Sequence, residues 1–185
     1  MSGRVGFWNL SGERRAVSYG VIFGVWAEIL VYCELHDLFL APFAPEHFTV
    51  YHPPLWGIEN IHLLGAAWAF RASIGPGIPL GIAALFIGRS GKRPPLPVKT
   101  ILWRVWPALA LTELCGLAAG AWSWVTGKPV FPEILYPGLT RALITAQSIQ
   151  LTCYLAGAVT GVAYLIGLWR ARGAMARLQA RGDSR

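Results

Sequence analysis

The sequence predicts an all-α protein: a bundle of four membrane-spanning helices with a partly ordered, interfacial outer loop. Three observations lead there. Four apolar stretches each exceed the roughly 20 residues that cross about 30 Å of hydrocarbon at about 1.5 Å per residue. The 185 residues are 55% hydrophobic and 14% charged, where a soluble domain carries about 25% charged residues. And 13 of the 16 Lys and Arg residues gather on one side of those stretches.

The chain reads as one membrane domain. The first span covers residues 16–39 and is interrupted only by Glu28, Glu34, His36 and Asp37. It is too long for a signal-peptide core and no A-x-A site follows it, so it reads as a retained helix. An outer loop, 40–60, follows. The second span, 61–87, carries His62 and Arg71. A stiff, proline-rich cytoplasmic loop, 88–100, leads to the third span, 101–125, which carries Arg104 and Glu113. A second outer loop, 126–138, precedes the fourth span, 139–169, and a basic tail, 170–185, continues its helix.

Sidedness follows from the cations. Arg4, Arg14 and Arg15 precede the first span. Arg89, Lys92, Arg93, Lys99 and Arg104 lie between the second and third. Arg170, Arg172, Arg177, Arg181 and Arg185 follow the fourth. The positive-inside rule puts both termini in the cytoplasm of a cell (inner or plasma) membrane. An even number of spans requires the termini to share a side. The net charge of +7 is absorbed by topology and by contact with anionic lipid. No basic stripe with interleaved aromatics supports nucleic-acid binding. Trp103, Trp106 and Trp169 mark the inner boundary, and Trp56, Trp122 and Trp124 the outer one, as in an aromatic belt.

Each span contains a G-x-x-x-G: Gly20/Gly24, Gly77/Gly81, Gly116/Gly120 and Gly157/Gly161. Small residues at this spacing let helix backbones approach closely. At about 100° per residue, Glu28, Glu113 and Gln150 fall on or near these faces. Glu28, Glu113 and Gln150 stand 12, 12 and 11 residues from the starts of their spans, and Arg71 reaches a similar level. Charges at mid-bilayer face the bundle interior and pair. The expectation is a buried layer of Glu28, Arg71 and Glu113, with Gln147 and Gln150 as hydrogen-bond neighbours. One arginine between two carboxylates leaves one negative charge in excess, to be met by a proton or a cation. Pro76, beside Arg71, cannot donate to the carbonyl of Ala72, so the second span is kinked or broken there, as in some transporter sites.

All four histidines, His36, His47, His52 and His62, lie in one 27-residue stretch with Glu34, Asp37, Glu46 and Glu59. Glu28, Tyr32 and His36 share a helix face. Glu59 and His62 have the Glu-x-x-His spacing of di-iron bundles, although only one copy is present and that site needs two. Cys33, Cys115 and Cys153 lie in three different spans with no paired spacing, and each reads as a small buried hydrophobe. The sequence shows no Ser/His/Asp order, phosphate-binding glycine loop or prenyl-diphosphate acidic repeat.

Two functional expectations of different class follow. The first is small-ligand, ion or proton binding, transport, or a subunit role in a membrane complex, centred on Glu28, Arg71, Glu113, Gln147 and Gln150. The second is a membrane metalloenzyme or redox protein, with metal or haem held by His36, His47, His52, Glu59 and His62. The expected partners are the lipid bilayer and either further copies of the chain or another membrane subunit.

Overall fold

The computed structural model describes residues 13–182. They form α1 (Arg15–Phe43), α2 (Pro45–Thr49), α3 (Ile61–Arg89), α4 (Val98–Trp103), α5 (Val105–Thr126), a short 3-10 turn at Glu133–Leu135, and α6 (Arg141–Gly182), with no strand among them. Four segments are long and apolar enough to cross a membrane: Arg15–Phe43, Ile61–Arg89, Val98–Thr126 and Arg141–Arg181. These match the four apolar stretches of the sequence. Arg4 and Arg185 lie outside the described residues.

The helices form two intimate pairs, α1 with α3 and α5 with α6, which then pack on each other. Glycines set both pairings. A Cβ added at Gly81 would stand 2.6 Å from the carbonyl oxygen of Ile22, and one at Gly77 would stand 2.6 Å from the ring of Trp26. A Cβ at Gly116 would meet Cys153 Sγ at 2.3 Å, and one at Gly120 would meet the Ile149 side chain at 2.4 Å. At Gly81, where the neighbour is backbone, only a residue without a side chain fits, and at the other three any added side chain would force its neighbour to move. The expectation of a close contact in every span is corrected at α6 and at the start of α1. Gly20 faces open space, and Gly157 and Gly161 have nothing nearer than 3.7 Å. Gly24 is tight, but its neighbour at 2.8 Å is Leu102 of α4.

Small hydroxyl groups join the same pairs. Trp26 Nε1 donates to Ser73 Oγ across 3.0 Å, and Ser73 Oγ donates back to the Phe70 carbonyl. Between α5 and α6, Thr112 bonds Thr160 at 2.9 Å, and Ser123 donates to Ser148 at 2.8 Å. Each bond satisfies a hydroxyl that has left water.

Two expectations about helix continuity change. The third span is two helices, broken at Arg104. Pro107, three residues into α5, has no N–H for the carbonyl of Trp103, and its ring crowds that carbonyl. The second span is continuous from Ile61 to Arg89 despite Pro76 and Pro79, so α3 supplies no broken-helix site.

Two apolar clusters fill the bundle. One, at the basic end, gathers Val21, Val25, Ile29, Leu85, Leu96, Ile101, Tyr164 and Leu168. The other, at the opposite end, gathers Leu40, Phe48, Leu55, Leu64, Ile149 and Cys153. Phe48 is 2% exposed and belongs to α2, so the segment after α1 folds back over the bundle end. This is the covering role its proline-rich, aromatic sequence predicts.

Candidate metal and ligand site

Three helices bring one ligand-type side chain each to a common point. His36 of α1, Glu113 of α5 and Cys153 of α6 place their donor atoms within 4.8 Å of one another. His36 and Cys153 are buried and Glu113 is half-buried. His36 Nδ1 stands 2.8 Å from Glu113 Oε2, with the imidazole N–H donating to the carboxylate. Cys153 Sγ lies 3.7 Å from the carbonyl of Thr112, one residue before Glu113. The close approach at Gly116 holds Cys153 against α5. Tyr32, one turn before His36, directs its buried hydroxyl at Glu113 and Cys153 without completing a hydrogen bond to either.

A second polar group adjoins this one toward the covered end. His47 of α2, 2% exposed, bonds Gln150 Oε1 through Nε2 at 2.7 Å. Since the amide oxygen accepts, Nε2 carries the proton, and Nδ1 is left buried with a lone pair and no hydrogen-bond partner. Burial pushes the His47 imidazole down to about 4, with the neighbouring His52 adding to the effect and the Gln150 bond opposing it. His52 Nδ1 donates to the His47 carbonyl at 2.5 Å, and the two rings are 4.5 Å apart. A cleft of about 310 Å³ opens beside them, lined by His47, Tyr51, His52, Leu135, Tyr136 and Gln147. Gln147 Nε2 donates to the Leu135 carbonyl, and its Oε1 is buried without a partner. Gln150 and Cys153 are one helical turn apart on α6, so the His47–Gln150 bond and the His36/Glu113/Cys153 cluster are neighbours along that helix.

The expected Glu28–Arg71–Glu113 layer is not formed. Among the described residues the ion pairs are His36–Glu113 and Arg89–Glu13. Arg71 is exposed, with its guanidinium 5.2 Å from the ring of Trp68. Glu28 faces Trp106, and its Oε2 is buried without a hydrogen-bond partner. Trp106 lies seven residues before Glu113, about 10 Å along α5. Counting from hydropathic span starts put Glu28 and Glu113 at one depth. Leu102, at the hydropathic start of the third span, instead seats against Gly24, about two turns into the first span, and in that register Glu113 meets His36.

The outer histidines divide. His36 joins the Glu113/Cys153 cluster, and His47 and His52 line the cleft. His62 and Glu59 are exposed, and Glu59 precedes α3. Asn60 caps that helix by accepting from the backbone N–H groups of His62 and Leu63. Glu59 and His62 therefore share no inward face, and the Glu-x-x-His expectation is corrected. The residue that sequence reading passed over is Cys153. Its signal was available: it follows Gln150 by one turn, on the face already marked as polar.

Comparison with protein-family models, curated proteins and solved structures finds no match to this chain.

Proposed function

We propose that this chain is a four-helix membrane protein with both termini in the cytoplasm, which binds a transition-metal ion between α1, α5 and α6 in the outer half of the bilayer. The carrying observation is the convergence of His36, Glu113 and Cys153 from three separate helices to within 4.8 Å. A nitrogen, an oxygen and a sulfur donor suit zinc or copper and do not suit hard cations, which take oxygen ligands. Ligands at the usual bond lengths of about 2.0–2.3 Å stand roughly 3.3–3.8 Å apart around a tetrahedral ion, so small side-chain adjustments close the site. The metal would replace the proton shared by His36 and Glu113 and the thiol proton of Cys153.

Three protein ligands leave a coordination position open. That suits exchange of the ion or a bound substrate better than a structural clamp. The neighbouring zone supports the same reading. His52, His47 and Gln150 lead from the cleft toward Cys153, and His47 offers a buried lone pair along the way. This arrangement merges the two expectations from sequence, taking Glu113, Gln147 and Gln150 from one and His36, His47 and His52 from the other. Glu28 and Arg71 take no part in it.

The test is metal content. Protein purified anaerobically in detergent and exposed to zinc, then desalted, should retain one equivalent per chain. His36→Gln, Glu113→Gln and Cys153→Ser should each reduce retention at least tenfold. Wild type that retains no zinc or copper above the level of the variants would overturn the proposal and leave His36 and Glu113 as an interhelical hydrogen bond.

A further inference from the structure

The opposite, basic end of the bundle contains a second site, independent of the first and resting on the same membrane reading. Arg172 of α6 is 3% exposed. Its guanidinium donates from Nε to the Pro94 carbonyl at 3.0 Å, from Nη1 to the Ile87 carbonyl at 2.9 Å, and from Nη2 to the Arg93 carbonyl at 2.6 Å. A guanidinium has five N–H donors, so two remain after these three bonds. The three carbonyls satisfy donors but supply no negative charge. Among the described residues the salt bridges at this end are limited to Arg89 with Glu13, so no described carboxylate pairs with Arg172.

Other cations converge on the same place. A Cβ at Gly173 would stand 3.6 Å from Arg177 Nη1 and 3.8 Å from Arg93 Nη1. Arg93 also lies over Trp169, with the guanidinium carbon 5.5 Å from the ring centre. Lys92 follows Gly91, whose φ of +79° turns the chain sharply. Ile87, Gly91, Lys92, Arg93, Trp169 and Arg172 line a pocket of about 240 Å³. Like charges brought together at a protein surface repel unless an anion sits among them. A pocket of this volume is several times the share of one water molecule in the liquid, about 30 Å³.

We propose that the pocket formed by Lys92, Arg93, Trp169 and Arg172 binds a phosphate group, carried by the headgroup of an anionic membrane lipid. The guanidinium fork is shaped for phosphate oxygens. Trp169 is 53% exposed beside it, as expected of an indole at the headgroup level, with acyl chains running down the adjoining apolar wall. Basic pockets between helices at the cytoplasmic face are where such headgroups dock. The lipid would then tie the segment between α3 and α4 to the start of the α6 extension, which Arg172 already joins through its three carbonyl contacts.

The experiment uses the full chain, delipidated in neutral detergent and titrated with phosphatidylglycerol, phosphatidylcholine or inorganic phosphate, with bound lipid counted by native mass spectrometry. Wild type should bind one phosphatidylglycerol at least tenfold more tightly than phosphatidylcholine. Lys92→Gln combined with Arg93→Gln, both at exposed positions and outside the Arg172 contacts made by side chains, should abolish the preference while the helical circular dichroism is unchanged. Arg172→Leu serves as a second variant where it folds. Competition by millimolar inorganic phosphate would support the phosphate site with a soluble occupant, and its failure would support the lipid. Equal affinity for the two lipids without phosphate binding, or a preference that survives Lys92→Gln/Arg93→Gln, would overturn the proposal.

Discussion

His36 Nδ1 and Glu113 Oε2 stand 2.8 Å apart, and this bond links α1 to α5, the first helix of one intimate pair to the first helix of the other. The two pairs are each held by glycine contacts and hydroxyl bonds, while this contact works between them. Hydrogen bonds to charged groups contribute about 1.5–3 kcal/mol, and stranding one partner costs its desolvation as well. His36→Leu in chelator-treated protein should therefore lower stability by about 2–3 kcal/mol. His36→Leu with Glu113→Leu should recover more than half of that, because no carboxylate is left unpaired. Thermal unfolding in detergent reads both, and a double variant no better than the single one would remove the pairing argument.

The glycine contacts give a graded series. Gly81→Ala should be the most damaging, because its Cβ would stand 2.6 Å from the Ile22 carbonyl oxygen, which is backbone and cannot step aside. Overpacking of this kind costs about 1–3 kcal/mol. Gly120→Ala meets the Ile149 side chain at 2.4 Å and should cost less, since that side chain can repack. Gly20→Ala faces open space and should be neutral or stabilising, as a helical alanine replaces a glycine. The same unfolding assay ranks them, and a uniform response would contradict the packing described.

The covering segment should respond to acid through His47. Its folded-state value of about 4 lies below the roughly 6.5 of an unfolded histidine. Between these values the unfolded chain binds more protons than the folded one, so stability rises with pH across the window and is lost as pH falls from about 6.5 toward 4. The full shift corresponds to at most about 3 kcal/mol. Amide exchange at α2 and the adjoining loop should accelerate over that range in wild type. His47→Gln should flatten the profile, and an unchanged profile would show that another group controls it.

Topology has a direct check. Reporter fusions after Lys92 and after Arg185 should report the cytoplasm, and one after Pro53 the outside, because 13 of 16 cations fall on one side of the apolar stretches. An external reading at Lys92 would invert the membrane reading, and with it the assignment of the phosphate pocket to the inner leaflet.

The helices were legible in the sequence because a span is a bulk property: about 20 apolar residues announce themselves whatever their neighbours do. The covering of one bundle end was legible for a related reason, since a loop holding Phe43, Phe48, Trp56 and four prolines has apolar surface to bury. The depth of each polar residue was not. It depends on where helices begin and how far they slide past one another: Leu102, at the start of the third span, already lies beside Gly24, about two turns into the first. Glu28 and Glu113 share a sequence offset but not a level. Arg71 looked inward by its distance from a span's start, yet its guanidinium lies against Trp68 on an exposed face. Cys153 was legible as a small residue one turn after Gln150 and no more, because side chains brought together from three helices leave no spacing motif behind.

Anaerobic titration of the purified protein with Co²⁺ tests the central claim most directly, because cobalt reports its ligands by absorption. Wild type should saturate at one equivalent, with a thiolate-to-cobalt charge-transfer band and the intense visible bands of a four-coordinate ion. Cys153→Ser should lose the charge-transfer band, while His36→Gln and Glu113→Gln should weaken binding at least tenfold. A wild-type titration without a thiolate band, or one that Cys153→Ser leaves unchanged, would contradict a metal site at His36, Glu113 and Cys153.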